Sequence, residues 1–433
     1  MCKSVAFHNL GCKVNSYETE IMMKEMAENG YIIVPFDQKA DIYVVNTCSV
    51  TNIADRKSRQ MLHRARSMNP GALIIAAGCY VDTHDAAETE NEGVDICVSN
   101  KDKKDIVRII NDHYADREST CGAAVSGNKS DELSGKLKTR CFIKVQDGCD
   151  QFCSYCIIPY ARGRISSRRI REIVDETERR VKEGYKEFVP TGIHISSYGK
   201  DRPEDKEDLL MLIRQLSETE GVQRIRLSSL EPRIVTEEFA KALSGIDQIC
   251  PHFHLSLQSG SDAVLKRMNR HYTTDEYLNA VDILRRYFRD PAITTDIITG
   301  FPGETEEEFE ETVSFADRVN FYETHIFKYS RRRGTVADKM QGQLEESEKH
   351  RRSLILIEMN NRKKKAFENL HISDKLKSEV LFEDMEEAGG ALCRTGYTRE
   401  YIKVYEKSGK YRTGDIAEGI LERQGDWIYF KGE

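Results

Sequence analysis

Apolar residues recur in short runs along the first ~115 residues, and between those runs they fall into a helical period. SVAFHNL, DIYVVN and ALIIAAG are rich in Val, Ile and Ala and read as buried strands. SYETEIMMKEMAENG and ADRKSRQMLHRARSM lie between them and read as amphipathic helices. Strand–helix alternation predicts a parallel sheet. A polar stretch running from DREST to SGKLKT then reads as a linker. Alternation resumes with RCFIKVQ, EFVPTGIHIS, RIRLSSLE, HFHLSLQS, AITTDIITG and ETHIFKYS, separated by helices such as RIREIVDETERRVKEG. Six such units predict a partial (βα)6 barrel of TIM type, with its chemistry at the C-terminal strand ends. A charged helix, EESEKHRRSLILIEMNNRKKKAFEN, follows. SEVLFED, REYIKVYE, IAEGILER and DWIYF then predict a small β-barrel. The expected fold is α/β. Residues 1–115 form an open parallel-sheet domain, 116–138 a linker, 139–369 the partial barrel and 370–433 the small β-barrel.

The chain has 433 residues, 39% apolar and 32% charged, which suits a soluble protein of about three domains at ~150 residues each. The start lacks the apolar core of a signal peptide, and no run approaches the ~20 apolar residues of a membrane span. A cytoplasmic protein without membrane partners is expected. Twelve cysteines in such a chain point to metal or catalysis rather than disulfides. With a net charge of −7, any contact with nucleic acid has to use local basic patches.

DGCDQFCSYC places Cys149, Cys153 and Cys156 in the spacing CxxxCxxC, after a barrel strand. Three thiolates on a [4Fe–4S] cube leave one iron open for a ligand. A structural zinc site completed by a remote Cys or His fits the same spacing. Cys12, Cys48 and Cys79 each fall just past the end of a predicted parallel strand. Those ends share one sheet edge, so residues 36 and 31 positions apart can converge on one metal. Singly, each also reads as a small buried hydrophobe.

GCKVNSYE, NTCSVT, AAGCY, GCDQFCSYCIIPYARGR, LSLQSGSDAVLKRMNR and DIITGFPGET together resemble the radical S-adenosylmethionine (SAM) methylthiotransferases, in order and over nearly the whole chain. GCKVN near the start, TGIHISSYG and HIFKYSRRRGTVA look most like the branch acting on tRNA N6-threonylcarbamoyladenosine beside the anticodon. Similar branches act on isopentenyladenosine and on a ribosomal-protein aspartate. The resemblance implies two [4Fe–4S] clusters. One, on Cys149, Cys153 and Cys156, cleaves SAM to a 5′-deoxyadenosyl radical. The other, on Cys12, Cys48 and Cys79, carries sulfur that a second SAM methylates before transfer to adenine C2. It further implies a TRAM-like, RNA-binding C-terminal barrel, tRNA as substrate and an electron donor such as flavodoxin or ferredoxin. The sulfur source is not indicated.

Thr191 and Gly192 occupy the place where such enzymes meet the SAM amino group, and Ser228, Ser256, Gln258 and Asp296 lie at later strand ends, facing SAM ribose or substrate; each also reads as a cap of the barrel rim. Gly300 and Gly303 suit a tight turn near the adenine. Arg162, Arg164, Arg168, Arg169 and Arg171, with Arg331, Arg332 and Arg333, supply positive charge for phosphate or substrate carboxylate. A threonylcarbamoyl group carries a carboxylate, and an Arg–carboxylate pair recognises it by geometry. Arg332 is the leading candidate, with Arg331, Arg333 and His194 beside it. In the tail, Arg394, Arg399, Tyr401 and Lys403 are the expected RNA contacts. Pro190, in a predicted interior strand, and Ser166, where the family commonly has arginine, depart from the pattern. A non-catalytic zinc- and RNA-binding protein is the competing class.

Overall fold

β1 (Ser4–Asn9), β2 (Ile32–Val34), β3 (Ile42–Thr47), β4 (Leu73–Gly78) and β5 (Ile96–Val98) build an all-parallel sheet in the order β2-β1-β3-β4-β5. This is a computed structural model. It describes residues 3–90, 92–117, 139–373 and 377–432, so Cys2, Cys121 and most of the expected linker lie outside the described residues. β3 and β4 are buried along their whole length, as the unbroken apolar runs require of a sheet covered on both faces. Ile42 and Val44 pack with Met22 and Met26 of α1 (Lys13–Glu28), whereas Tyr43 and Val45 pack with Leu62 and Ala65 of α2 (Asn52–Met68). α3 (Cys79–Thr83), α4 (Ala86–Glu90) and α5 (Ile106–Arg117) follow. β2 and β5 were not foreseen, because three residues are too few to show a period.

The chain forms two compact units. One comprises residues 1–137, 147–164 and 330–338; the other comprises residues 138–146, 165–329 and 339–433. Expected linear boundaries do not follow this division. The cysteine loop, with α6 (Ile158–Arg162), belongs to the first unit, and the C-terminal barrel belongs to the second with the central strands.

The second unit begins with β6 (Arg140–Lys144). After the two-residue strands β7 (Gln146–Asp147) and β8 (Ser166–Ser167), it continues with β9 (Glu187–Thr191), β10 (Arg224–Ile225), β11 (His252–His254), β12 (Ala292–Thr299) and β13 (Glu323–Lys328). Two three-stranded parallel sheets, β10-β9-β6 and β11-β12-β13, are linked by the bridges Ile225–Ile249 and Leu230–Leu255. The result is the expected six-strand partial barrel. Its outer face, with Phe188, Phe253, Ile293 and Ile297, packs on helix residues such as Leu212, Leu243, Tyr277 and Phe315. Pro190 sits in central β9 without breaking it. β10 pairs with β9 only at Glu187 and Phe188, so on that side no ladder partner awaits the missing N–H. The Pro190 carbonyl instead accepts the Ser228 hydroxyl at 2.9 Å.

β14 (Ser378–Ala388), β15 (Ala391–Thr398), β16 (Lys403–Glu406), β17 (Ile416–Gln424) and β18 (Trp427–Gly432) close a barrel in the order β14-β15-β16-β18-β17. The sequence pattern missed β15, whose Gly396 reads as a break. There a Cβ would stand 2.5 Å from Val380 Cγ1, so close strand approach demands glycine. Among the described residues no helix is long and apolar enough to cross a membrane.

Buried charges join this barrel to the central strands. Arg226 donates from Nε to Glu187 Oε1 at 2.8 Å and from Nη1 to Arg399 O at 2.8 Å. Arg224 donates to the Glu379 carboxylate and to its carbonyl, both at 2.7 Å. The Tyr401 ring lies 4.7 Å from the Arg226 guanidinium and 5.0 Å from the His252 ring. Arg399 donates to Ile249 O at 2.8 Å. Tyr401 and Arg399, expected at RNA, therefore serve this junction. Arg394 is turned to Glu383 O and Thr413, and Lys403 to Glu386.

Burial alone would push Glu187 up, but Arg226, Arg224 and Arg140 hold its carboxyl below the ordinary glutamate range. A carboxyl depressed on folding contributes stability at neutral pH and loses it as pH falls through the folded value. Glu187→Gln leaves two buried guanidinium groups under-compensated. It is expected to cost about 3–5 kcal/mol, read as an earlier denaturant midpoint at pH 7, with the gap to wild type narrowing below about pH 4. An unchanged midpoint at pH 7 would contradict the assignment.

Candidate active site

Cys12, Cys48 and Cys79 stand just past the ends of β1, β3 and β4, which are adjacent strands of one sheet. Register explains their convergence: Asn9 pairs with Asn46 and Thr47 with Gly78, so the chain leaves all three strands at one edge. Cys12 is the N-cap residue of α1, and Cys79 opens α3. Side-chain amides and hydroxyls fasten the rim. Asn15 Nδ2 donates to Thr47 O at 2.9 Å, Thr47 Oγ1 to Ala77 O at 2.6 Å, and Ser58 Oγ to Cys48 O at 3.1 Å. Gly11 admits no side chain, since a Cβ would meet Cys48 Sγ at 2.8 Å.

Burial pushes the Cys48 thiol up to about 11, and charge on Cys79 and Cys12 adds to the rise. The Cys48 sulfur thus faces the fields of the other two, and a positive centre beside it would offset both that repulsion and its burial. A metal cluster supplies that charge and deprotonates its thiols outright. The donor set fits an iron–sulfur cluster.

Cys149, Cys153 and Cys156 are half-buried in a loop of the same unit. A Cβ on Gly148 (φ +67°) would fall 1.9 Å from Arg164 O, so only glycine turns the chain here. Phe152 adopts φ +47°, an uncommon conformation for a bulky residue. The loop is pinned by Cys149 N donating to Gly163 O at 3.1 Å and Cys156 N to Cys153 O at 2.9 Å. Gln151 N approaches Cys149 Sγ at 3.5 Å. Backbone N–H aimed at sulfur suits a thiolate.

A buried cluster of charges connects the two thiol sets. Arg162, expected at RNA, has no exposed side-chain surface. It donates to Glu18 at 2.9 Å, Asn15 Oδ1 at 2.6 Å and Asp147 at 3.1 Å. Lys103 Nζ reaches Glu18 at 2.6 Å. Asn100 Nδ2 lies 3.5 Å from Cys79 Sγ and 3.4 Å from Ala161 O of α6. Asn15 and Glu18 lie within the GCKVNSYE motif, but a sequence motif does not reveal a partner some 144 residues away.

Arg332 is engaged inside the fold. Its side chain is 7% exposed, paired with Asp55 and donating to Ser49 Oγ at 2.6 Å and Asn52 Oδ1 at 3.0 Å. It fastens residues 330–338 to the loop carrying Cys48 and presents no open guanidinium. Arg331 pairs with Asp338 at 2.6 Å, and Arg333, 86% exposed, lies 3.4 Å from Glu88. His194 is held by Ser197 Oγ at 2.6 Å and stands 3.5 Å from Glu231. Ser166 is exposed. In the second unit, Thr191 Oγ1 is buried without a hydrogen-bond partner. Gly192 lies against Gln146 Oε1, which a Cβ would meet at 2.7 Å. Gln258 takes φ +74° and bridges to β12 through Asp296 O. Ser256 is half-buried, Ser228 is committed to Pro190, and Asp296 stands 3.3 Å from His254 Nε2.

Residues 143–316 match the Radical SAM superfamily, and residues 4–99 match Uncharacterized protein family UPF0004. The chain is 39% identical to "Threonylcarbamoyladenosine tRNA methylthiotransferase MtaB" of Bacillus subtilis, over 99% of this chain and 96% of that one. Identity is 37% to the Aquifex aeolicus protein of the same name, over 88% and 93%. It is 36% to "tRNA-2-methylthio-N(6)-dimethylallyladenosine synthase" of Clostridium tetani, over 81% and 80%. Among solved structures, the radical SAM methyltransferase TsrM from Kitasatospora setae shares the fold at TM-score 0.55 and 16% identity, over 76% of this chain and 75% of that one. A relative of 39% identity matched over nearly its full length carries the assignment: the chain belongs to the radical SAM tRNA methylthiotransferase family.

Proposed function

We propose that the protein methylthiolates C2 of N6-threonylcarbamoyladenosine beside the anticodon of tRNA, consuming one SAM as methyl donor and one as radical source. The observation that supports this most is two incomplete three-thiol sets in one unit, joined through Asn100 and Arg162. Cys149, Cys153 and Cys156 would hold one [4Fe–4S] cluster, and Cys12, Cys48 and Cys79 the other. With SAM, the bound clusters supply radical generation and a carrier for the transferred sulfur. The chain's own residues aim that chemistry. Gly148 and Phe152 turn the cysteine loop, Arg162 and Asn100 hold it beside the rim at Cys79, and the Arg332–Asp55 pair steadies the loop bearing Cys48. Thr191, Gly192, Ser256 and Gln258 are the proposed SAM contacts. Arg331 and Arg333 are the proposed contacts for the substrate carboxylate. A flavodoxin or ferredoxin as electron donor and a cytoplasmic location complete the reading.

Anaerobic reaction with matched tRNAs, followed by mass spectrometry of nucleosides, tests it. The threonylcarbamoylated tRNA is expected to be converted. Conversion of the isopentenyl tRNA alone would move the protein to the other branch. Cys153→Ala should abolish SAM cleavage and retain about half the iron, four of about eight atoms. Cys48→Ala should retain cleavage to 5′-deoxyadenosine and lose methylthio transfer; product from this variant would refute the division between the thiol sets. Arg332→Ala leaves buried Asp55 with only the more distant His84 Nε2, at 3.5 Å, in place of its guanidinium, and is expected to cost about 3–5 kcal/mol of stability, measured as a lowered unfolding midpoint. Arg333→Ala should leave that midpoint in place and reduce conversion of the threonylcarbamoyl substrate.

A further inference from the structure

β11, β12 and β13 turn one face to the helices and the other to the barrel lumen. Phe253, Ile293 and Ile297 are on the helix side. Alternation therefore puts His254, Thr294, Asp296 and His325 on the lumen side, and register aligns His254 with Thr294 and Asp296 with His325. The potential ligand atoms of His254, Asp296 and His325 all lie within 4.8 Å of one another. The two imidazole rings are 5.9 Å apart and 24° from parallel.

We infer that His254, Asp296 and His325 bind one divalent transition-metal ion in the barrel lumen, separate from both thiol sets. Two imidazoles and one carboxylate are a donor set for first-row divalent ions such as Zn²⁺ or Fe²⁺. Bonds of about 2.0–2.2 Å place donors on one ion roughly 3–4 Å apart, so a modest rotation of the exposed His325 completes the set. His254 already has the outer contact that a ligand needs: Nδ1 stands 3.0 Å from Thr294 Oγ1. When Nδ1–H donates to that hydroxyl, the Nε2 lone pair faces Asp296 Oδ2 at 3.3 Å. Two acceptors then confront each other, and a cation between them satisfies both. The ion would tie together the last three strands, where the partial barrel ends at β13.

Zn²⁺ is the probe. Cluster-loaded protein is equilibrated anaerobically with excess Zn²⁺ and desalted, and zinc and iron are counted together by elemental mass spectrometry. About one zinc per chain is expected with iron unchanged. His254→Ala and Asp296→Asn should lose the zinc and keep the iron. Thr294→Val, which removes the outer contact together with a 3.5 Å approach to His252 Nε2, should weaken zinc binding about tenfold or more. Zinc absent from wild type, retained equally by both ligand variants, or gained only as iron is lost would each overturn the site; the last would place it on cysteine.

Discussion

Arg162 carries a full charge where no water reaches its side chain, and the arrangement of the first unit follows from pairing it. An unpaired buried cation is prohibitively costly. Glu18 of α1 and Asp147 of the cysteine loop supply the countercharge, Asn15 accepts another donor, and Lys103 shares Glu18. Two cations and two carboxylates thus balance in one pocket. Because Arg162 ends the helix after Cys156 while Asn15 and Glu18 lie on the helix that Cys12 caps, satisfying this charge fixes one thiol set against the other. Under the proposed function, that fixed separation would serve transfer of a sulfur group between the two sets.

The second unit repeats the principle with different consequences. Arg224 and Arg226 are buried, and Glu187 alone cannot use all their donors. The remaining N–H groups are taken by the Glu379 carboxylate and by carbonyls of Glu379, Tyr397, Thr398 and Arg399 in the C-terminal barrel. That barrel is therefore part of the central fold's own hydrogen bonding, and its tip at Tyr401 is spent on it.

Arginine chemistry separates structural from recognising roles here. Arg331, Arg332 and Arg333 are consecutive, yet the middle one is buried against Asp55 and the outer two face solvent. A buried, multiply bonded guanidinium holds a segment in place; an exposed one keeps donors for a ligand. The same contrast divides Arg162 from Arg164, which is exposed and lies over the Phe152 ring at 4.6 Å.

The sequence by itself determined the order of the longer strands and helices other than β15, the partial barrel and the placing of Cys12, Cys48 and Cys79 at one sheet edge. Each of these follows from local periodicity and from the rule that parallel strands end at one edge. It also marked CxxxCxxC as an incomplete ligand set. Only the tertiary structure decided what the charges do. Glu18 and Arg162, Asp55 and Arg332, and Glu187 and Arg226 are far apart along the chain, and a charged residue looks the same in sequence whether its partner is water or a buried carboxylate. β15 was hidden for a related reason: Gly396 reads locally as a break, and its need arises from Val380 on the neighbouring strand. Local pattern encodes which face of an element is apolar; pairing of buried charge and close backbone approach are properties of the packed chain, and they become visible only when the distant partner is in place.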